Sequence, residues 1–515
     1  MKNQANVLFI VIDQLRADCI FGALAQQIKI PNLTALMEDA VTFKSHYSVA
    51  NPCGPSRASL LTGQYAMNHR SVRNGTPLAA GTDNIATQMR QLSYEPMLFG
   101  YTDTSLDPRA LHANDPAIRT YEQVLPGFVE KLEMRQEESY PWRSHIARQG
   151  YPTRDYATFY HPQTPSGASP RIDDPAFYKA QDSDSAFLTQ QTLNELSVRQ
   201  QQNWFAHVTY IRPPPPLVAP APYNSMYRNS DLPDPLRRAN RSDEAQCHPF
   251  LATHLEVIKD KSVVDGPFAN CDKDDLETAR SLRSVYLGLV SEVDQQVGRL
   301  VDFLKSTGQY DSTLIVLTAD HAEMLGDHHM WGKQTIYDSA VHVPLIIRDP
   351  RQQQTHGSTV NAFTESVDIM PTILQWADSS FAIPSSVDGH SLAAFLQGHT
   401  PENWREHIFY ELDFAEPGAP TLWQQQLDLS LEQANVAVLR DRQYKLVHFN
   451  GNLPALLFDI QADPAEMCNL ATDPSYQTVL LQMSQKMLNH RMSNANSSLS
   501  EMRVTASGTV NYRNG

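Results

Sequence analysis

The residues whose types and spacing most clearly suggest chemistry are Cys53, Pro55 and Arg57, arranged as C-x-P-x-R. This is the pattern in which a cysteine is oxidised to formylglycine. Its aldehyde in water is largely a gem-diol, so one hydroxyl can be ionised on a metal and attack sulfur or phosphorus while the other remains to expel the product. A thiol cannot perform that second step. The motif therefore predicts a modified nucleophile at position 53; the alternative is an unmodified buried cysteine in a loop.

Polar side chains follow two apolar runs that are typical of central strands covered on both faces. The runs are residues 7–12 and 313–317. The side chains just beyond them are Asp13, Gln14, Asp320 and His321. In an open parallel sheet the ligand crevice lies at the carboxyl ends of the strands, so we expect these four residues to share a site. The alternative is that the aspartates are strand-end caps and the histidine is a core residue.

The elements that would position these residues form an α/β pattern. Apolar residues recur at helical spacing over 286–304, which predicts a helix with one buried face that ends at Gly308. Strand, helix and strand in alternation predict a doubly wound sheet over residues 1–380. Segments 104–180 and 212–280 are rich in Pro, Asp, Ser and Arg, and we expect them to be long loops over the active face.

The C-terminal part of the chain predicts a second, smaller α+β domain over residues 381–515. Short apolar strands are expected at 437–439 and 445–447, and a helix around 477–491. The tail from Asn494 is polar, and we interpret it as an arm that grips a neighbouring subunit.

Composition excludes several classes of partner. The chain has 41 Lys and Arg against 57 Asp and Glu, a net charge of -16, which argues against nucleic acid or an anionic membrane as a partner. The cysteines are five and widely scattered, which favours a reduced cytoplasm over a disulfide framework. The segment before the first strand is too short for a secretory leader, and no apolar run approaches a membrane span. We therefore predict a cytoplasmic protein.

Together with further motifs, these residues resemble the sulfatase branch of the alkaline phosphatase superfamily. The stretches that carry the resemblance are residues 11–18 (VIDQLRAD), the Cys53 motif, 67–70 (MNHR), 319–323 (ADHAE), and 325–329 (LGDHH) leading to Lys333. Each is weak alone, but their order is specific, and the match runs over nearly the whole chain. The chain is most similar to phosphonate monoester hydrolases, which also cleave phosphodiesters, and to related cytoplasmic arylsulfatases. The resemblance implies an alkaline-phosphatase-like fold.

The resemblance also implies roles for individual residues. One divalent metal, Ca²⁺ or Mn²⁺, suits the mainly oxygen shell that these side chains offer. The implied ligands are Asp13, Gln14, Cys53 as formylglycine, Asp320 and His321. Arg57, one helical turn after the nucleophile, would hold the gem-diol oxygens, and Lys333 would stabilise the leaving group. Asn74 and Tyr101 match pocket residues that contact the non-bridging oxygens of the substrate.

Two positions depart from the family pattern. Asp103 stands where the family has a small hydroxyl or a histidine, and we expect it to act as a base. Pro214 replaces a histidine that helps to protonate the leaving group, and proline has no donor. Lys333 would then act alone, so we expect a preference for phenolic leaving groups. The surrounding block 212–216 could be a polyproline ligand, but we interpret it as a rigid loop wall.

These observations predict a formylglycine- and metal-dependent hydrolase of monoanionic esters. The expected substrates are aryl sulfate monoesters and phosphonate monoesters or phosphodiesters, cleaved through a covalent intermediate on residue 53. The alternative is a catalytically decayed binding protein of the same fold, which the missing histidine motivates. Expected partners are a small anionic ester, a formylglycine-generating enzyme, and further copies of the chain in a homodimer or homotetramer.

Overall fold

A computed structural model describes residues 5–135, 139–199, 203–496, 499–500 and 502–511. Parts of two predictions lie outside these ranges. They are residues 1–4 of the segment before the first strand, and residues 497–498, 501 and 512–515 of the expected arm.

The described residues form strands and helices in alternation over most of the chain. The strands are β1 (Asn6–Ile12), β2 (Val41–Phe43), β3 (His46–Tyr47), β4 (Pro96–Gly100), β5 (Val129–Glu133), β6 (Phe205–Tyr210), β7 (Thr313–Thr318), β8 (Leu345–Arg348), β9 (Thr359–Val360), β10 (Thr364–Glu365), β11 (Ile408–Asp413), β12 (Asn435–Arg440), β13 (Tyr444–Phe449), β14 (Leu456–Asp459), β15 (Met502–Thr505) and β16 (Gly508–Asn511). The α-helices are α1 (Asp18–Phe21), α2 (Pro31–Glu38), α3 (Cys53–Thr62), α4 (Ala66–His69), α5 (Ile85–Gln91), α6 (Tyr140–Arg148), α7 (Asp184–Ser197), α8 (Arg241–Ala245), α9 (Pro249–Lys259), α10 (Leu276–Ser306), α11 (Ile369–Ala377), α12 (Ala393–Leu396), α13 (Leu422–Gln426) and α14 (Gln477–Ser493).

The largest sheet of the described chain has eight strands in the order β5-β4-β6-β1-β7-β8-β2-β9. The strands from β5 to β7 are parallel, whereas β8 runs antiparallel to both of its neighbours. Strand β1 is central: Val11 pairs with Thr209 of β6 and with Thr318 of β7. The predicted α/β sheet is confirmed, and its mixed character comes from β8.

Both faces of this sheet are covered, because successive side chains on a strand point to opposite faces. Leu8 and Ile10 of β1 lie in one core with α2, α7 and α10. Val7 and Phe9 lie in a second core with α3, α5 and α11. A strand buried on both sides has no polar face, which explains the continuous apolar runs.

The smaller sheet is antiparallel in the order β11-β12-β13-β14, and α14 packs on it through Met483 and Met487. It is joined to the large sheet by a buried ion pair, in which the Lys445 ammonium lies 2.8 Å from Asp338. The expected C-terminal strands and helix are therefore present. The division at residue 380 stays a prediction, and Phe395 of α12 packs in the core of the large sheet.

Several elements were not predicted from the sequence. The segments expected to be loops contain β5, α6, α8 and α9. Strand β5 reads VEKLE and lies at the sheet edge, where charged residues are tolerated and obscure the strand pattern. Helix α10 begins at Leu276, ten residues before the expected stripe, and the Asp275 carboxylate caps it by accepting from Thr278 N–H.

Three further expectations concern the proline block, the cysteines and membrane-spanning helices. Pro213 and Pro214 are buried, so they form an interior wall and not an accessible polyproline ligand. All five cysteines lie in the described part of the chain and are free. No helix among the described residues is long and apolar enough to cross a bilayer.

Candidate active site

Two neighbouring strands bring the predicted acidic residues to one edge of the sheet. Asp13 follows β1 and Asp320 follows β7, and these strands are paired in parallel. The Asp320 carboxylate accepts hydrogen bonds from Gln14 N–H at 3.2 Å and from His321 N–H at 2.9 Å. The φ angle of Gln14 is +62°, an unusual conformation for a residue other than glycine and one that is common at functional sites.

The nucleophile motif occupies the first turn of α3. Cys53 is the first helical residue and only 2% exposed, and Arg57 lies one turn further on, as predicted. The Asn74 side chain accepts a hydrogen bond from Gly54 N–H at 2.9 Å, which satisfies one of the backbone donors that a helix leaves unpaired at its start. The helix N-terminus also places a positive partial charge at position 53.

Four predicted metal ligands converge in the interior. Oxygen atoms of Asp13 and Asp320, a nitrogen of His321 and the sulfur of Cys53 all lie within 4.8 Å of one another. The Cys53 sulfur is 3.2 Å from His321 Nε2. Two carboxylates and an imidazole around an oxidisable cysteine are a donor set that fits a divalent cation.

Lys333 links the nucleophile to Gln14. Its ammonium donates to the Cys53 sulfur and to Gln14 Oε1, both at 2.9 Å. The other end of the Gln14 amide donates to Glu323. Glu323 Oε1 also accepts from Leu325 N–H at 3.2 Å and from Gly332 N–H at 2.5 Å, so one buried carboxylate fixes both the amide and the loop that carries the lysine.

Arg57 is bound by the acidic residues that surround the nucleophile. Its guanidinium lies 2.9 Å from Asp320 and 3.3 Å from Asp13. It stacks on the Tyr101 ring at 4.1 Å and donates to the Tyr101 hydroxyl at 3.0 Å, while that hydroxyl donates to Asp13. Arg57 and Tyr101 therefore orient the carboxylates, and Tyr101 is 1% exposed.

Asp103 is buried beside this cluster, with its carboxylate 4.0 Å from Arg57. Neither of its oxygens receives a hydrogen bond from the described residues. Burial raises the pKa of Asp103 to about 8, although Arg57 opposes the shift. Its φ angle is +47°, so the backbone is held in a strained conformation here as at Gln14.

The environment sets the charge of the other groups. Burial raises the pKa of the Cys53 thiol, so the unmodified side chain is a poor nucleophile at neutral pH. Burial and the Lys333 ammonium lower the pKa of His321, which keeps its imidazole neutral and able to bind a metal. Burial opposes the charge of Lys333, but Cys53 and the two aspartates outweigh it and raise the pKa of the lysine.

A cleft of about 760 Å³ leads from the surface to Lys333 and Asn74. Its walls come from the end of α9, the loop at 331–334, the end of β11 with the residues up to 416, and the start of α13. The aromatic rings of Trp331, Phe414 and Trp423 line it. This opening gives an ester access to the nucleophile motif.

Several residues that orient the side chains and loops of the site were not identified from the sequence. Glu323 was visible only as the last letter of a motif, two positions after His321, and its contacts depend on a loop that folds back. Thr209 of β6 accepts from Arg57 at 3.0 Å, and a threonine within an apolar strand gives no separate signal. Arg212 is buried and paired with Asp184 at 2.8 Å, which accounts for the rigid wall before Pro214.

The fold is an α/β fold with a mixed sheet, and a buried cluster of candidate metal ligands lies at the carboxyl ends of its central strands. The sulfatase family model matches residues 5–379, and the model described as N-sulphoglucosamine sulphohydrolase, C-terminal, matches residues 326–493. The chain belongs to the sulfatase family of the alkaline phosphatase superfamily.

The similar proteins include phosphonate monoester hydrolases. The structure of phosphonate monoester hydrolase from Silicibacter pomeroyi is 54% identical, covers 99% of this chain and 100% of that one, and has a TM-score of 0.96. The phosphonate monoester hydrolase of Agrobacterium radiobacter is 39% identical over 99% of both chains, with a TM-score of 0.93. The multifunctional alkaline phosphatase superfamily protein PehA of Trinickia caryophylli is 38% identical over 511 residues, 98% of each chain.

The chain is therefore a hydrolase of sulfuric or phosphoric esters, close to the phosphonate monoester hydrolases. The predicted family, fold class and enzyme class are confirmed. The alternative of a decayed binding protein is not supported, because the nucleophile motif, the cluster of metal ligands and the lysine are all present together.

Proposed function

We propose that the chain hydrolyses monoanionic esters, with residue 53, as formylglycine, acting as the covalent nucleophile. The substrates are phosphonate monoesters or phosphodiesters and aryl sulfate monoesters. The observation that carries the proposal is the convergence of Cys53, the two aspartates and His321 within 4.8 Å, with Lys333 2.9 Å from the cysteine sulfur.

Formylglycine at position 53 supplies a hydrated aldehyde, which attacks as an alkoxide and has a second hydroxyl to expel the product. The chain's own residues prepare this position. The α3 N-terminus and Lys333 bring positive charge to it, and Asn74 accepts from Gly54 N–H in the first turn of the helix. Because Cys53 is buried in the folded chain, the formylglycine-generating enzyme must act before α3 packs.

One divalent cation, Ca²⁺ or Mn²⁺, fits between the Asp13 and Asp320 carboxylates and the His321 nitrogen, where it supplies Lewis-acid stabilisation of negative charge. The Gln14 amide oxygen is an uncharged ligand atom. It accepts a hydrogen bond from Lys333, which also contacts the Cys53 sulfur. Arg57 and Tyr101 hold both carboxylates in place through ion pairs and a hydrogen bond. The shell therefore carries two negative charges from protein, which suits a substrate that is itself a monoanion.

Lys333 is assigned to the leaving oxygen, and Asn74 to a non-bridging oxygen. Both line the cleft, so a bound ester meets them on entry. Pro214 cannot donate a proton, so a lysine ammonium is the cation that stabilises the departing oxygen. Phenolic leaving groups need less protonation than alkyl ones, and the proposal favours aryl esters for this reason. Asp103, whose carboxylate accepts no hydrogen bond from described residues, is assigned as the base.

Kinetics with a panel of esters tests the proposal. Purified protein, produced with a formylglycine-generating enzyme, is assayed with an aryl sulfate, an aryl phosphodiester and an aryl phosphonate monoester, and residue 53 is analysed by peptide mass spectrometry. We expect turnover of all three, with formylglycine at position 53. Cys53→Ala should reduce turnover to a trace while folding normally, and Cys271→Ala serves as the matched control. Full turnover by Cys53→Ala, or by protein with an unmodified thiol, contradicts the nucleophile assignment.

Metal analysis tests the ligand shell separately. Asp320→Asn and Asp13→Asn should each lose the bound divalent metal together with activity, whereas Asp311→Asn, whose side chain is 82% exposed, should retain both. Full metal occupancy in either of the first two variants argues against this shell. The proposal also includes a cytoplasmic location, for which five scattered cysteines are typical, and assembly as a homodimer or homotetramer.

A further inference from the structure

Lys261 lies on the wall of the active-site cleft, three residues after Ile258, which also lines it. The side chain is exposed, and the described residues offer its ammonium no hydrogen bond and no ion pair. This ammonium is therefore available to a ligand in the cleft.

The backbone that presents Lys261 is fixed by a buried lysine. The Lys273 ammonium donates to the carbonyl oxygen of Ile258 at 3.0 Å, to that of Lys259 at 3.3 Å, and to that of Lys261. These carbonyls lie at and just beyond the end of helix α9, where a helix leaves carbonyl groups without intrahelical partners. The segment is therefore a built part of the cleft wall, and Lys261 projects from a defined position.

The charge around Lys261 has the sign that attracts an anion. The cleft wall partly desolvates the Lys261 ammonium, and this desolvation together with the neighbouring Lys333 ammonium lowers the pKa of Lys261. Three carboxylates line the same cleft, and none pairs with Lys261: Asp413 lies 3.1 Å from Arg73, Glu256 accepts from Gln426 at 2.6 Å, and Glu416 is exposed. Two ammonium groups on one cleft repel each other unless an anion lies between or beside them.

The rest of the wall suits an aromatic group. Trp331, Phe414 and Trp423 line the cleft, and the Trp423 ring lies 5.6 Å from the ring of His254. The His254 ring is 3% exposed, so it supports the wall from the interior by stacking against Trp423. An aromatic leaving group would pack here with its reacting oxygen at Lys333.

We propose that Lys261 and the aromatic wall form a leaving-group subsite for esters of phenols that carry a second anionic group, such as a carboxylate. This inference rests on the proposed function, since it assigns the leaving oxygen to Lys333. It adds a substrate class: the aryl group stacks on the wall, and its anionic substituent pairs with Lys261.

A matched pair of substrates tests the subsite. The probes are 3-carboxyphenyl and 3-carbamoylphenyl phenylphosphonate, which are similar in shape and differ by one charge. The carboxylate withdraws electrons less than the amide, so intrinsic reactivity opposes the expected preference. We expect kcat/KM to favour the carboxylate ester by about fivefold at low salt, the size that an exposed charge pair supplies, and the preference to shrink as salt is added.

Variants then assign that preference to one residue. Lys261→Met should lose the preference and Lys261→Glu should reverse it, whereas Lys259→Met, a change at a neighbouring exposed lysine outside the cleft, should keep it. Equal kcat/KM for the two esters in the unaltered protein, or a preference that survives Lys261→Met, overturns the subsite while the proposed function stands. If the unaltered protein hydrolyses neither ester, the proposed function fails, and the subsite with it.

Discussion

At the residue scale, the site is a set of buried charges that compensate one another. Asp13 and Asp320 supply negative charge, Arg57 and Lys333 supply positive charge, and Asp103, whose pKa burial raises to about 8, lies beside them. An uncompensated buried charge costs several kcal/mol, so each member constrains the others. A divalent cation bound to these carboxylates would add positive charge that they compensate. Removing one of the carboxylates should therefore release the metal.

Asp103 gives a test of base catalysis. A base must be deprotonated to act, and burial raises the pKa of Asp103 to about 8, so activity should rise with pH up to that region. A bound cation lowers the pKa, which moves the rise to lower pH. Asp103→Asn should lose the rising limb, and intact-protein mass spectrometry should show the transferred group retained on residue 53. An unchanged pH profile with no retained group rules out this role, and Asp311→Asn is the control.

Glu323 tests how the Gln14 amide is oriented. In Glu323→Gln, the new carbonyl can keep the loop N–H groups, but its NH₂ faces the Gln14 NH₂. Gln14 must then turn, which presents a donor to Lys333. We expect kcat to fall by about 10- to 100-fold, as is typical when a residue that supports a metal site is altered, with little change in thermal stability.

The double variant Glu323→Gln with Gln14→Glu supplies the control for that prediction. A carboxylate at position 14 accepts both from the new amide at position 323 and from Lys333, so activity should recover relative to the single change. A single variant with full activity, or a double variant with no recovery, means that the amide orientation does not matter.

At the scale of elements, helix α10 packs on the sheet and also contacts the turn at Tyr223–Ser225. Its apolar stripe, including Leu289 and Val293, lies in the core that covers one face of the sheet. Gly288 lies in the same helix, and a Cβ there would meet the Tyr223 carbonyl oxygen at 2.2 Å. The absence of a side chain therefore lets the turn at Tyr223–Ser225 approach the helix.

Gly288→Ala should destabilise the protein although alanine is the better helix former. Alanine gains up to about 1 kcal/mol in an exposed helix, but overpacking against backbone costs about 1–3 kcal/mol and here should exceed the gain. Gln295→Ala, at an exposed position of α10, is the matched control and should be neutral or slightly stabilising. Thermal unfolding of the purified variants measures both. A Gly288→Ala variant as stable as the parent contradicts the close approach.

At the scale of the whole molecule, the C-terminal hairpin β15–β16 suggests association. Val504 is 89% exposed, and Leu499 before the hairpin is 75% exposed. A two-stranded hairpin is marginally stable on its own in water, so it needs a surface to pack on. We predict that a second copy of the chain supplies this surface.

Light scattering after size-exclusion chromatography tests the predicted assembly. We expect a mass two or four times the 57.9 kDa of one chain, and a shift toward the monomer when the chain is truncated after Asn496. The truncated protein should keep its thermal unfolding cooperativity if the arm serves assembly only. A monomeric parent protein, or an unchanged mass after truncation, contradicts the arm.

The fold class and most of the site could be predicted from the order of residues alone. Runs such as 7–12 have to be central strands because they have no polar face, and the residues after parallel neighbours must meet at one sheet edge. Arg57 follows Cys53 by one helical turn, so its approximate place followed from spacing alone. These features depend on local periodicity and on residues that are close together in the sequence.

Contacts between distant segments, in contrast, were set by the folding of the chain. Glu323 reaches Gln14 across 309 positions, and the charges of Lys261 and Lys333 influence each other because an unpredicted helix end brings both to one cleft. Asp103 lies beside Arg57 only because β4 is near β1 in the sheet. Loops without periodicity place such side chains, and their paths are set by packing and by buried hydrogen bonds. That information is not contained in the spacing of residues along the chain, so it emerges only when the chain is folded.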